Sequence, residues 1–148
     1  MCSSDLFTLR GYHSVHSSSP MPLGRTPRVS ILVPARNEAE MLPSTLPGLL
    51  QQDYPDYEVV LVDDGSTDGT GDVAERIAAS LPPEAARRLR LIRSQEALPP
   101  GWVGKNHALH VAFESVCAQS TPSEWVLATD ADIVFHPQAL REIGRAHV

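Results

Sequence analysis

The sequence predicts an α/β domain with a mostly parallel sheet and flanking helices. Three observations predict it. Short β-branched runs alternate with amphipathic helical stretches in the order β-α-β-α-β-α-β, which gives a parallel sheet covered on both faces. The run from Tyr57 to Val62 is almost continuously apolar, as a strand buried on both sides should be. Two of the strands also end in carboxylates, Asp63-Asp64 and Asp130-Ala131-Asp132. In a parallel sheet all such ends open on one edge, where ligands bind.

The bulk numbers are compatible with this. The chain has 148 residues and a net charge of −6, enough for one domain or part of one and unlike the basic surface of a nucleic-acid binder. No apolar run is long enough to span a bilayer, and no signal peptide is evident. Cys2 and Cys117 are the two cysteines; far apart, they suggest no disulfide or metal pattern, so a reducing compartment is expected. Cys117 is expected to pack under a helix.

Residues 7–27 hold Ser17-Ser18-Ser19, several prolines, His13 and His16 without apolar periodicity, and read as a disordered leader. The first strand is Val29-Ser30-Ile31-Leu32-Val33, stopped by Pro34. Asn37 and Glu38 are helix-start residues, and Leu42, Leu46, Leu49 and Leu50 fall on one helical face. Pro43 and Pro47 require that this helix start late, near Ser44, or be kinked. The second strand, Tyr57 to Val62, is followed by a turn, with Thr67 or Asp68 as a helix cap. Val73 and Ile77 mark the second helix, ended by Pro82-Pro83. Leu89-Arg90-Leu91-Ile92 is the third strand and Leu98 to Trp102 a loop. The third helix runs from Asn106 to Cys117, and the fourth strand from Glu124 to Thr129. Phe135-His136-Pro137 opens a further helix.

Sheet topology then brings Pro34-Ala35-Arg36, Asp63-Asp64, Arg93-Ser94 and Asp130-Ala131-Asp132 to one edge. In an extended chain Asp130 and Asp132 share a side. Such a pair suits Mg²⁺ or Mn²⁺ with sites left for phosphate oxygens, and the ion would neutralise a leaving diphosphate. Asp63-Asp64 offers acceptors for a base or ribose, although Asp-Gly is also ordinary turn chemistry. Gly104-Lys105-Asn106 stands at a helix start, where backbone N–H groups and a lysine suit a phosphate. It is no Walker A motif, since Pro99 and Asn106 stand where glycine and Ser/Thr are required. No G-x-G-x-x-G, G-x-S-x-G or H-E-x-x-H occurs. His107 and His110 lie one helical turn apart with no evident third ligand, so His107 is a candidate for lining the nucleotide site rather than a zinc site.

Taken together, VSILVPARNEAEML, QDYP, YEVVLVDDGSTDGT, LPPGWVGKNHAL and WVLATDADIVFHP resemble, in order and spacing, the N-terminal donor-binding half of a family 2 glycosyltransferase with the GT-A, Rossmann-like fold. The PPGW-x-GK-x-x-A segment is similar to a bacterial subset that includes hopanoid- and carotenoid-associated enzymes. The resemblance implies a nucleotide-diphosphate-sugar donor, with a UDP-sugar favoured, inverting transfer, and Mg²⁺ or Mn²⁺. It implies that Pro34, Ala35, Arg36 and Glu38 border the donor, that Asp64 meets the base with Asp63 beside it, and that Lys105 lies near the diphosphate. Asp130 would approach ribose or metal, and Asp132 would bind the metal. The acceptor would be a lipid or polysaccharide. The protein would be cytoplasmic, the parent being associated with the inner face of the cytoplasmic membrane. The family's catalytic base has no counterpart here, so the chain is expected to be an inactive fragment, truncated after the fourth strand.

A nucleotidyltransferase would need a glycine- and basic-rich loop after the first strand, which Pro34-Ala35-Arg36-Asn37-Glu38 is not. A non-catalytic, receiver-like module would place its acidic pair after the first strand and its lysine after the last. The two ends carry a further pattern. Met1-Cys2-Ser3-Ser4-Asp5-Leu6 can be encoded GTG TGC TCT TCC GAT CTC, whose reverse complement, GAG ATC GGA AGA GCA CAC, translates as Glu142-Ile143-Gly144-Arg145-Ala146-His147. Both ends are therefore expected to be adapter read-through. The expected organisation is an adapter-like start and leader at 1–27, a partial GT-A domain at 28–141, and an adapter-like tail at 142–148.

Overall fold

The computed structural model describes residues 26–94 and 98–146. At its centre is a four-stranded sheet in the order β3-β2-β1-β4, with every pairing parallel. The strands are β1 (Val29–Ala35), β2 (Tyr57–Asp64), β3 (Leu89–Ser94) and β4 (Trp125–Ala128). Between and after them come α1 (Leu42–Leu50), α2 (Thr70–Ser80), α3 (Pro83–Ala86), α4 (Gly104–Cys117) and α5 (Ala139–Ala146). The expected parallel α/β architecture is the one the chain adopts. Residues 1–25, which include the expected leader, lie outside the described residues, as do 95–97 and 147–148.

The chain enters in the middle of the sheet, winds outward to β3, then crosses to the far side of β1 to lay down β4. This reversal puts a switch point at the carboxyl ends of β1 and β4. A crevice opens at such a point because the chain leaving β1 turns back toward β2 on the α1 face, while the crossover into β4 runs through α4 on the opposite face.

Each face has its own core. Ile31, Val33, Val59 and Leu61 pack with Leu42, Leu46, Leu49 and Leu50 of α1 and with Ala74 and Ala78 of α2. The alternate residues Leu32, Val60 and Val62 pack with Ala108, Ala112 and Val116 of α4. The two-residue period of a strand makes this division. It carries on past the apolar part of β2: Asp63 continues the α1/α2 face and Asp64 the α4 face.

Several boundaries differ from the sequence expectation. Asn37 and Glu38 do not start α1; Asn37 is left-handed, with φ 57°, and the helix begins at Leu42. Pro43 sits in its first turn, and Pro47 is inside it. Proline there removes a hydrogen bond and costs about 3 kcal/mol. The four leucines, each 1% exposed or less, offset that at about 1.5–3 kcal/mol apiece. β2 runs on through both aspartates, β3 through Ser94, and α4 starts at Gly104 rather than Asn106. Pro82-Pro83 ends α2 but also opens the short α3. Cys117 is the last residue of α4 and is half-buried. No helix among the described residues is long and apolar enough to cross a membrane.

Candidate functional site

A cleft of about 270 Å³ opens at the switch point, lined by Pro34, Ala35, Arg36, Glu38, Asp64, Gly104, Lys105, Ala108, Asp130, Ala131 and Asp132. All but two of the residues expected to meet the donor or a metal are therefore brought together. The exceptions are Asp63 and His107.

Asp63 and Asp64 are adjacent and almost equally buried, at 8% and 9% exposed, yet their surroundings differ. Asp63, on the α2 side, accepts the N–H of Ser66 at 3.1 Å and the N–H of Gly71 at 3.1 Å. It closes the Asp-Gly turn and satisfies an orphan donor in the first turn of α2, where a negative charge is also favoured by the helix dipole. The Asp64 carboxylate, on the α4 side, opens into the cleft and has no partner among the described residues. A nearly buried carboxylate without a donor is unusual, because burial without compensation is costly. It is poised to accept from a ligand. The strand alternation that separates the two is written in the sequence.

The loops after β1 and β2 are latched together. The N–H of Asn37 donates to Ser66 Oγ, and the Thr67 N–H donates to Asn37 Oδ1. The Glu38 N–H donates to Thr70 Oγ1, and the Ala39 N–H to Asp68 Oδ2. Asp68 Oδ1 also accepts the N–H and the hydroxyl of Thr70. Asp68 thus helps begin α2, but Gly69 holds the N-cap position itself. The Thr70 hydroxyl, then the Ala39 and Thr70 amides, hold the Asp68 carboxyl below its ordinary value. This network fixes the loop that carries Arg36 and Glu38 against the rim of the cleft.

The third wall is the start of α4. Val103 holds the N-cap position and supplies no side-chain cap; the first intrahelical bond runs from the His107 N–H to the Val103 carbonyl. The N–H groups of the first turn are left for an anion. Gly104 lets the helix approach β2 closely: a Cβ there would lie 3.2 Å from Asp64 Oδ2 and 3.9 Å from an Arg36 guanidinium nitrogen. On the next residue, Lys105 Nζ forms an ion pair with Asp130 Oδ1.

Asp130, Ala131 and Asp132 lie in a turn beyond β4 rather than in extended strand, so the side sharing expected from strand geometry is not what joins them. The turn does so instead: both carboxylates line the cleft while Ala131 is buried beneath them. Asp132 is exposed and has no ion-pair partner among the described residues. Two hard oxygen donors suit Mg²⁺ or Mn²⁺. Among the described residues no group of three or more His, Cys, Asp or Glu side chains converges on an ion. Two carboxylates alone would leave most of such an ion's coordination positions to ligands from outside the protein.

Two expected neighbours are elsewhere. Arg93 reaches away to Asp72 at 2.7 Å and Glu75 at 3.0 Å on α2; its hydrogen bond to Asp72 pushes its already high pKa further up. His107 does not line the cleft. It is buried edge-on against Trp102, ring centroids 5.8 Å apart, and Trp102 also covers His110 at 5.0 Å.

Comparison with known proteins bears on the family and the fold. The family model described as Glycosyl transferase family 2 matches residues 30–146. A PGL/p-HBAD biosynthesis glycosyltransferase of Mycobacterium bovis is 46% identical over 55 residues, 37% of this chain and 22% of that protein. The 4,4'-diaponeurosporenoate glycosyltransferase of Staphylococcus aureus is 28% identical over 107 residues, covering 72% and 24%. Among solved structures, the mannosyltransferase PcManGT from Pyrobaculum calidifontis, in complex with GDP-Man and Mn²⁺, superposes with a TM-score of 0.65 at 30% identity, over 93% of this chain and 37% of that one. S. aureus TarS 1-349 in complex with UDP-GlcNAc gives 0.60 at 26% identity, over 80% and 30%. The chain thus spans about a quarter of the length of these curated relatives.

Proposed function

We propose, from the premise that this chain belongs to glycosyl transferase family 2 and has its GT-A fold, that it is the donor-binding half of a metal-assisted, inverting enzyme. The donor is a nucleoside diphosphate sugar and the acceptor a hydroxyl of a lipid or polysaccharide. One observation carries the reading: Asp64, Lys105, Asp130 and Asp132 line a single cleft at the switch point of the sheet.

In this reading the free Asp64 carboxylate accepts from an N–H or O–H of the nucleoside, which lies against Pro34, Ala35 and Arg36. The first turn of α4 and Lys105 face the diphosphate. Asp130 and Asp132 hold Mg²⁺ or Mn²⁺, which supplies charge neutralisation for the departing diphosphate. Asp63 stays outside the ligand contacts, as a residue that shapes the turn. The acidic group that takes the proton from the acceptor hydroxyl lies in a segment beyond this chain, so the chain alone is inactive. A uridine nucleotide is our choice of base, with the guanosine nucleotide of PcManGT as the competitor any assay must include. The full protein works on the cytoplasmic side of the membrane, and the runs 1–6 and 142–148 are adapter read-through, which the source DNA would show directly.

The test is calorimetry of UDP- and GDP-sugars with and without Mn²⁺, on the native chain and on Asp132→Asn. Binding that needs Mn²⁺ and weakens at least tenfold in the variant is expected. Equal, metal-independent binding by both would refute the metal role.

A further inference from the structure

The turn that carries the two cleft carboxylates is held from below by α1. Ala131 lies between Asp130 and Asp132, and its carbonyl accepts a hydrogen bond from Thr45 Oγ1 at 2.7 Å. Thr45 is 0% exposed. Its hydroxyl is also 3.3 Å from the Met41 carbonyl, but one proton serves one acceptor well, and the shorter contact goes to Ala131.

Thr45 is the first of a row. A Cβ on Gly48 would lie 2.9 Å from the Phe135 carbonyl oxygen, so the segment after the turn packs on bare helix backbone. Gln52 donates to the His136 carbonyl at 2.9 Å and accepts the Leu140 N–H at 3.1 Å. Positions 45 and 48 lie on one face of α1, and Gln52 follows just beyond its C-cap, Gln51. All of them serve the chain from Ala131 to Leu140.

Gln52 and Gly48 pack the segment after the turn. Thr45 differs in where its bond lands. The Ala131 carbonyl belongs to the peptide plane from which Asp132 departs, so fixing that oxygen fixes the direction of the Asp132 side chain relative to Asp130. Two carboxylates that share an ion of near-octahedral demand must be held closely in register. We propose that Thr45 is a positioning residue for the Asp130/Asp132 pair, acting through the Ala131 carbonyl. This rests on the reading of that pair as the metal-holding carboxylates.

The experiment measures Mn²⁺ affinity of the chain by the electron paramagnetic resonance of free Mn²⁺, with UDP or GDP present, alongside melting by circular dichroism. Thr45→Val keeps the shape and removes the donor; its Mn²⁺ affinity should fall about tenfold. Thr45→Ser keeps the hydroxyl and should retain native affinity even with a lower melting temperature. Leu49→Ala loosens the same helix but leaves the Thr45 hydroxyl and the Ala131 carbonyl chemically unchanged, and should melt earlier with affinity unchanged. Native affinity in Thr45→Val overturns the proposal, as does a loss in Thr45→Ser or one in Leu49→Ala that follows its melting temperature. If Thr45→Val does not fold, the serine and Leu49→Ala variants decide on those same criteria. If the native chain takes up no Mn²⁺ with either nucleotide, the metal reading itself fails and this inference falls with it.

Discussion

Replacing each of the neighbouring aspartates by asparagine should separate stability from binding. Asp63 accepts two backbone N–H groups. Asparagine keeps one carbonyl oxygen and turns an NH₂ toward the other donor. Hydrogen bonds to a charged partner are worth about 1.5–3 kcal/mol net, so Asp63→Asn should lose about 2 kcal/mol, or roughly 8 °C at ~4 °C per kcal/mol for a domain of this size. Asp64 has no partner to lose among the described residues. Its asparagine variant should melt no lower than the native chain, since it removes a nearly buried charge that has no donor to lose. In nucleotide binding the order reverses. A lost charged acceptor costs about 1.5–3 kcal/mol, and ~1.4 kcal/mol is tenfold, so Asp64→Asn should bind the nucleotide roughly tenfold more weakly or worse. Asp63→Asn, measured well below its melting point, should bind near normally. Thermal melts and calorimetry of the two variants suffice. If Asp64→Asn destabilised the chain as much as Asp63→Asn while leaving binding intact, the division of labour argued from strand alternation would be wrong.

Two further outcomes follow from close approaches and loop contacts. Gly104→Ala puts a methyl 3.2 Å from Asp64 Oδ2; nucleotide affinity should fall about tenfold with little change in melting temperature, because Gly104 is the first residue of α4, where the interior preference for alanine hardly acts. Unchanged affinity would remove Asp64 from the contact list. The Asp68 carboxyl is depressed below 3.8, chiefly by its bond from the Thr70 hydroxyl. A depressed carboxyl stabilises the fold above its unfolded value and loses that contribution as pH falls through its native value. Melting followed from about pH 7 to about pH 3 should therefore decline less steeply at its acid end in Asp68→Asn than in the native chain. Parallel curves would exclude the loop latch as the source.

The sheet was readable because its signals are local: β-branched runs, their alternation with helical stretches, and the rule that parallel strand ends share an edge. That rule brings Pro34, Ala35, Arg36, Asp63, Asp64, Arg93, Ser94, Asp130 and Asp132 to one edge, of which Asp63, Arg93 and Ser94 do not line the cleft; Lys105 was legible from its helix start and Glu38 only from the family resemblance. The different situation of Asp63 was also available. Tyr57, Val59, Leu61 and Asp63 share one parity and Val60, Val62 and Asp64 the other; sorting the aspartates by it would have sent only one to the side of Gly104. What was not readable is the set of side-chain-to-backbone bonds that hold the rims. Asn37, Ser66, Thr67 and Asp68 look like generic turn residues, and Thr45 like a small polar residue in an awkward helix. Their partners lie far off in sequence and leave no periodic trace. Helix ends failed for a related reason: Asn37 has cap chemistry, but its left-handed backbone and its bond to Thr67 commit it to the loop.

Under the proposed reading, the charges around the cleft require the donor and the cation to arrive as a unit. Glu38, Asp64, Asp130 and Asp132 face two cations, Arg36 and Lys105, and Lys105 is already paired with Asp130. A diphosphate brought within ~4 Å of an uncompensated carboxylate meets a repulsion of about 4 kcal/mol at an effective dielectric near 20. That is nearly three factors of ten in affinity. The opposite sign applies to a divalent cation between Asp130 and Asp132, and the diphosphate then sees a cation where it had seen two anions. Each ligand lowers the cost of the other, and linkage requires the two effects to be equal in factor. If this electrostatic account is right, that shared factor must be at least roughly tenfold in the native chain and must shrink in Asp132→Asn. A nucleotide that bound equally well without the ion would mean that Lys105, Arg36 and the open amides of α4 outweigh the carboxylates, and that Asp130 and Asp132 serve some other end.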